Sequence, residues 1–264
     1  MSIMTKINES IILIFLVGFL TFLQGCATEQ VPLKIEKSLP QSKRSYYNDS
    51  FDRLREDLWD KGTFTYNKEQ DANFELSDMA IENGKLKIET KTWSFSGNGL
   101  GSRYVFRGDF DIQVDCDFDF LEGKVEMVQR VVFAVFEKNM KLVDSYRAAI
   151  HLLKKFNAPN GYLVSYYFEN GRFRRGKRFR VTGFHGTLRF IRVKSRISTF
   201  YNLDGLEEWK KLNTFNCTSN DLMLGLGVQN FDFNTTSIHA ESSINAEFDN
   251  FRVNAAEKII EDEI

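Results

Sequence analysis

From Gly108 to Phe120 the chain alternates without a break. Ile112, Val114, Cys116, Phe118 and Phe120 share one phase, and Asp111, Gln113, Asp115, Asp117 and Asp119 share the other. A period of two over that length is a β-strand with one face buried and one in water. Such a strand needs a second apolar layer on its inner face, so the pattern predicts a sandwich. Val125 to Phe136 is apolar on both phases, as in a central strand covered on both sides. Arg103 to Phe106 leads into the alternating strand, and Ser145 to Leu153, Leu222 to Val228 and Ser243 to Val253 are further predicted strands.

Turn chemistry supplies the hairpins. Asn83-Gly84 separates the arms of a hairpin over Met79 to Phe95, with Leu86 and Ile88 inward and Lys87, Glu89, Lys91 and Trp93 outward. Asn160-Gly161 is a further turn. Asn170-Gly171 joins Tyr162–Phe168 to Phe173–Val181, and Thr187–Val193 pairs with Ile197–Tyr201. Gly97, Gly99 and Gly101 predict a flexible loop. No helix follows them, so they are not a phosphate-binding fingerprint. About a dozen short strands, no long amphipathic helix and no internal repeat predict an all-β fold: two antiparallel sheets packed face to face as a jelly roll. In the closing strand, Ile244, Ala246 and Phe248 share a phase that Phe251 and Val253 do not, so a β-bulge is expected at Asp249-Asn250.

Composition changes this picture little. The 264 residues suit one large β-sandwich, and 25 Phe, 9 Tyr and 3 Trp supply its core. A net charge of −1 gives no whole-molecule field for nucleic acid, and none is expected as a partner.

The N-terminus lies outside the core. Ile11 to Phe22 is nearly continuous apolar sequence after Lys6, shorter than the about 20 residues that span a bilayer, and fits a secretion signal. Leu23-Gln24-Gly25-Cys26 follows and resembles the lipobox of bacterial lipoproteins. The resemblance implies acylation at Cys26 and a cell-envelope address. Ala27, where the family's Asp sorting residue would stand, implies the outer membrane if the host has one. The alternatives are an ordinary cleaved signal and an uncleaved anchor. The expected organisation is a signal peptide over 1–25, a tether over 26–45, the sandwich over 46–254 and a tail or frayed helical turn over 255–264. The tether's alternative is an extra edge strand. Cys116 and Cys217 either pair, as thiols outside the cytoplasm can, or stay buried and free.

Several segments fall in the order of a known family: Gly108-Asp109-Phe110-Asp111-Ile112, Gly186 to Arg192, Tyr201 to Gly205 with Trp209, and Phe248-Asp249-Asn250-Phe251. Over residues 46–254 the chain resembles the concanavalin A-like, laminin-G-like jelly rolls of bacterial envelope proteins. Lys194-Ser195 departs from it, since many relatives carry Gly in that tight turn. The resemblance implies two sheets, one of which often binds glycans, and a structural calcium for which Asp249 and Asp52 are the candidates; otherwise Asp249 hydrogen-bonds a turn. Glu247-Phe248-Asp249 begins like the Glu-x-Asp-x-x-Glu strand of jelly-roll glycosidases, but Arg252 replaces the third carboxylate, so it reads as a closing strand. No Arg/Gln–His/Tyr set of a polysaccharide lyase stands out. His151, His185 and His239 lack metal-ligand spacing and read as core or turn.

The remaining candidates concern binding. Six basic residues, Arg172, Arg174, Arg175, Lys177, Arg178 and Arg180, crowd one predicted hairpin and need anions. Either the Asp111–Asp119 ladder compensates them internally, or they meet an acidic glycan or membrane phosphate, with Arg174, Arg175 and Arg178 the glycan-binding candidates. Trp93 is a candidate platform for a sugar ring, while Trp59 and Trp209 are expected to plug the ends of the sandwich. Three functions stay open: a lipid-anchored, lectin-like binding protein without catalysis, a glycoside hydrolase or polysaccharide lyase on the same scaffold, and a structural envelope protein.

Overall fold

The computed structural model describes residues 35–62, 74–122, 127–137, 146–155, 157–169, 172–204, 206, 208–218, 221–231 and 242–261. The predicted signal, Cys26 and His239 lie outside them. Among the described residues no helix is long and apolar enough to cross a membrane.

Among the described residues, fifteen strands run in chain order: β1 (Trp59–Lys61), β2 (Phe74–Leu76), β3 (Asp78–Glu82), β4 (Lys85–Glu89), β5 (Phe95–Ser102), β6 (Tyr104–Asp119), β7 (Val128–Glu137), β8 (Tyr146–Lys154), β9 (Gly161–Glu169), β10 (Arg172–Val181), β11 (Gly183–Val193), β12 (Arg196–Leu203), β13 (Lys210–Asn216), β14 (Asp221–Phe231) and β15 (Asn245–Glu261). They form two layers. Sheet I has the order β10-β9-β8-β7-β14-β5, with β1 and β2 sharing the far edge of β5. Sheet II has the order β13-β12-β11-β6-β15-β4-β3. A two-residue seam, Asp221 and Leu222 against Arg107 and Phe106, joins β14 to β6. All pairings are antiparallel except β2 with β5. This is the predicted two-sheet antiparallel sandwich.

The core lies between the layers. Ile112, Val114, Cys116, Phe118 and Phe120 are all buried, as their phase required. Across the gap Phe133 of β7 meets Phe190 of β11 edge-on at 4.8 Å, and Tyr167 of β9 stacks on Phe215 of β13 at 4.9 Å. Each fully buried ring contributes roughly 1.5–3 kcal/mol by leaving water, which is why the aromatic-rich strands close on one another. The expected bulge is present: the β15 register shifts between Asp249 and Arg252 with Asn250 at φ 47°, so Phe248 and Phe251 both point inward. Lys194 takes φ 57° in the β11–β12 turn, the conformation that a glycine would adopt freely, and its N–H donates to Asp109 Oδ1 (2.6 Å).

Several expectations are corrected. Gly97, Gly99 and Gly101 belong to strand β5, not to a loop, because they face Gln229, Gly227 and Gly225 of β14, respectively, in register. The tail is a strand: β15 continues to Glu261 against the start of β6. Of the segment expected as a tether, Leu39 to Arg44 dock on β15. Leu39 N donates to the Ala256 carbonyl (2.7 Å), and Arg44, in a short helix α1 (Gln41–Arg44), donates to the carbonyls of Val253 and Asn254. Trp209 does not plug an end; Arg189 lies over its ring at 4.9 Å on the outer face of sheet II. The Asp111–Asp119 ladder does not compensate the β10 cations, because β6 and β10 lie in different sheets. Its partners are on β11: Arg189 grips Asp111 (2.7 Å), Thr187 donates to Asp115 (2.6 Å), and His185 Nδ1 is 2.8 Å from Asp117.

Trp59 does close one end, and Asp49 holds it there. Trp59 Nε1 donates to Asp49 Oδ2 and Phe51 N to Oδ1, both at 2.8 Å, while Asp49 and Phe251 exchange backbone hydrogen bonds. Burial pushes the Asp49 carboxyl up despite these donors. Asp49→Ala leaves two buried donors unpaired, so it should cost about 3 kcal/mol of unfolding free energy in a denaturant titration. An unchanged midpoint would show that this corner contributes nothing.

Cys116 and Cys217 are free and buried. Desolvation raises the Cys116 thiol well above its ordinary range. Neither should react with a thiol reagent until the protein unfolds, and a reductant should leave the melting temperature where it was. Labelling of either cysteine in the native protein at the rate of an exposed thiol would contradict the register of β6 or the packing at the end of β13.

Candidate functional site

The outer face of sheet I is built from three rows that cross the strands. Each starts at a glycine of β5 and ends at an arginine of β10. The first runs Gly101, Gly225, Ala134, Ala149, Tyr166, Arg175. The second runs Gly99, Gly227, Val132, His151, Val164, Arg178, and the third Gly97, Gln229, Arg130, Leu153, Tyr162, Arg180. With strands about 4.8 Å apart the face is about 24 Å wide, and the rows are spaced by about 7 Å. Side chains grow from nothing at β5 to full guanidinium reach at β10.

The two halves of this face differ. Over β14, β7 and β8 it is closed: His151 is 2 % exposed, Arg130 7 % and Gln229 1 %. Arg130 hydrogen-bonds Gln229, and His151 packs on Tyr166 with ring centroids 4.8 Å apart. Burial, with the Arg130 charge beside it, holds the imidazole well below its usual range, so His151 is neutral near pH 7. Over β9 and β10 the face opens. Tyr162, Tyr166 and Phe168 are half-buried and Arg175, Arg178 and Arg180 are exposed. Arg178 lies over Tyr162 at 4.8 Å, Arg147 over Phe168 at 5.1 Å, and Phe173 meets Phe168 edge-on at 5.2 Å. Arg147 is neutralised by Glu137 (2.7 Å). Among the described residues, the outward phase of these strands carries one carboxylate, Asp221 at the start of β14, and it is paired with Arg107 (2.6 Å).

A bulge gathers the arginines. Gly176 and Lys177 together oppose Ser165, which brings Arg178 opposite Val164. In an unbulged strand Arg175 and Arg178 would point to opposite faces. The bulge is closely packed at Gly176: a Cβ there would sit 2.6 Å from Ser165 Oγ and 2.9 Å from Asn213 Nδ2, both side-chain ends.

The predicted candidates are therefore only partly brought together. Arg175 and Arg178 share the open face, joined by Arg180. Arg174 pairs with Tyr167 and takes the other face of the sheet. Trp93 is 59 % exposed but sits in the turn before β5 at φ 61°, at the opposite end of sheet I from β10. Asp249 lines a depression of about 180 Å³ on the outer face of sheet II, with Lys85, Asp115, Asp117, Asp204 and Glu247. Its Oδ1 accepts from the Asn250 N–H (2.6 Å), while Asp52 accepts from Ser50 (2.7 Å). Among the described residues no three His, Cys, Asp or Glu side chains are grouped to hold a metal ion. Reading the sequence missed Tyr162, Tyr166, Arg130, Gln229 and His151. The alternation of Tyr162, Val164, Tyr166 and Phe168 was a visible signal; the convergence of the other three needs the strand order.

No protein-family model matches the chain, and no curated protein matches it in sequence. Solved structures do. The fold is a jelly-roll sandwich of the concanavalin A-like kind. A prokaryotic β-1,3-1,4-glucanase (lichenase) derived from a mouse hindgut metagenome matches with TM-score 0.56 at 10 % identity, over 79 % of this chain and 98 % of that one. The alginate lyase from Klebsiella pneumoniae matches with TM-score 0.52 at 8 % identity, over 78 % and 98 %. The CBM2 module of the evolved Dit of Lactobacillus casei BL23 phage J-1 matches with TM-score 0.55 at 9 % identity, over 79 % and 96 %. Identities this low establish a shared fold and leave the activity to the residues on the face.

Proposed function

We propose that the protein binds carbohydrate on the outer face of sheet I and does not turn it over. The observation that carries this is the split of that face. Its titratable centre is closed, while its accessible half offers aromatic rings flanked by arginine forks. Rings and planar donors are what sugar recognition uses. A retaining or inverting glycosidase needs two carboxylates about the scissile bond, and the described outward positions of these strands supply one, Asp221, which Arg107 already holds. Binding of the full chain to a panel of soluble polysaccharides tests the reading. Tyr166→Ala should weaken it about tenfold, the loss of some 1.4 kcal/mol of ring contact, with the far-ultraviolet spectrum unchanged. Absence of binding to every glycan would remove the proposal.

A second reading has one observation behind it. Arg130, Gln229, His151 and Tyr166 form an Arg/Gln–His/Tyr set on adjoining rows, the kind of constellation a polysaccharide lyase uses. A neutral imidazole is the form in which His accepts a proton. Ultraviolet-absorbing unsaturated product from a uronate polysaccharide, lost in His151→Ala, would favour this reading over binding alone.

For its address, we propose a lipid anchor at Cys26, supported by the Leu23-Gln24-Gly25-Cys26 run after the apolar segment. Incorporation of a labelled fatty acid that Cys26→Ser does not abolish would refute it.

A further inference from the structure

We infer that the carbohydrate is a linear polyanion, bearing carboxylate or sulfate, and that it passes from the outer face of sheet I around the β10 edge into a cleft between the two sheets. The inference rests on the carbohydrate reading above. Several cations elsewhere have carboxylate partners: Lys85 with Glu247, Arg103 with Asp60, Arg107 with Asp221, Arg189 with Asp111. On the β10 side none does. Among the described residues, the six basic side chains of β10 form no ion pair, and neither do Arg196, Lys210 and Lys211 on the facing β12–β13 hairpin. β10 and β13 contain no Asp or Glu at all. A chain whose net charge is −1 thus gathers nine of its 35 basic residues, without ion pairs, along one rim.

These two edges enclose a cleft of about 390 Å³ lined by Tyr167, Glu169, Arg196, Thr214, Phe215 and Asn216. The stacked Tyr167 and Phe215 rings form part of its wall. Arg174 lies opposite Tyr167, a residue of the cleft wall, on the face away from Arg175. Near the other end of β10, Phe179 packs on Tyr201, and Lys210 lies opposite Tyr201 in the β12–β13 register. The cations therefore continue from the open face, around the edge strand, to the cleft.

Protection of an exposed edge against pairing is served by a few charges of either sign. It does not account for nine cations that span two sheets with one carboxylate, Glu169, in the cleft between them. A flat anionic membrane can reach one side of an edge strand, whereas a flexible polymer follows both. Arginine forks meet carboxylate and sulfate in paired hydrogen bonds, and a row of them about 7 Å apart suits a repeating anion.

The test uses the full chain with labelled polygalacturonate and dextran sulfate, against neutral dextran and laminarin, single-stranded DNA and anionic phospholipid vesicles. One or both acidic polysaccharides should bind, and raising the salt should weaken them about tenfold or more because exposed charges are screened. Arg196→Ser/Lys210→Ser/Lys211→Ser should lose about tenfold in affinity, at a few tenths to 1 kcal/mol per contact, with an unchanged melting temperature. Binding to laminarin or dextran as tight as to the acidic polymers would leave the carbohydrate reading standing and overturn the polyanion. No binding to any polysaccharide would overturn both. Binding confined to DNA or to vesicles would replace the inference with a different partner. Acidic-polymer binding that the triple variant leaves untouched would refute the path into the cleft.

Discussion

Gly186→Ala should cost at least about 3 kcal/mol, because overpacking against backbone cannot relax the way overpacking against a side chain does. A Cβ at Gly186 would lie 2.0 Å from the Asn202 carbonyl oxygen and 2.9 Å from Leu203 Cα, both main-chain atoms of the neighbouring strand. β11 cannot move aside, since its other edge is held by β6 over ten residue pairs, Gly183↔Asp119 to Arg192↔Phe110. The backbone dihedral is not the cause; φ of 159° is extended. For a domain of this size the loss should appear as a fall in melting temperature of roughly 6–12 °C. Gly176→Ala is the control. Its Cβ would meet the Ser165 hydroxyl and the Asn213 amide, side-chain ends that can shift, so it should cost under about 1.5 kcal/mol. Equal losses at the two glycines would show that the close approach of β11 and β12 is not what demands Gly186.

Arg175→Ser/Arg178→Ser/Arg180→Ser should reduce affinity for an acidic polysaccharide roughly 30- to 150-fold, the sum of three contacts of about 0.7–1 kcal/mol each. Folding should not suffer. None of the three guanidiniums has a carboxylate partner among the described residues, so their removal relieves like-charge repulsion and should hold or slightly raise the unfolding midpoint. Serine at an exposed edge also invites strand pairing, which could mimic a loss of binding through association. The same three positions changed to glutamate keep the edge charged and should abolish binding while the protein stays monodisperse. Retained affinity in the glutamate variant would sink both the binding face and the polyanion.

Strand identity was legible wherever one phase was apolar. The Ile112-to-Phe120 phase, Leu86 with Ile88, and the flip at Asp249-Asn250 all stand as read, because a side chain's phase is a local property of the backbone. The glycine run was misread because Gly97, Gly99 and Gly101 carry no side chain to show a phase. Only Gly225 and Gly227 of β14, over a hundred residues on, make them a strand. Arg174 was grouped with Arg175 and Arg178 because spacing alone does not reveal the bulge at Gly176-Lys177. The acidic ladder and the basic hairpin looked complementary by count and proved to be in separate sheets.

By itself the sequence determined an all-β chain of alternating strands, its hairpins, and the apolar surface that had to be closed by a second layer. Those are consequences of backbone periodicity and of water's exclusion from large rings. The order of the strands decided the rest. It set β10 at one end of sheet I with Glu169 of β9 the one carboxylate opposite it, brought Tyr162 and Tyr166 next to its arginines, and opened a cleft towards β13. Neighbours in a sheet can lie anywhere along the chain, so which charges are answered and which are left for a ligand is settled only when the strands pair.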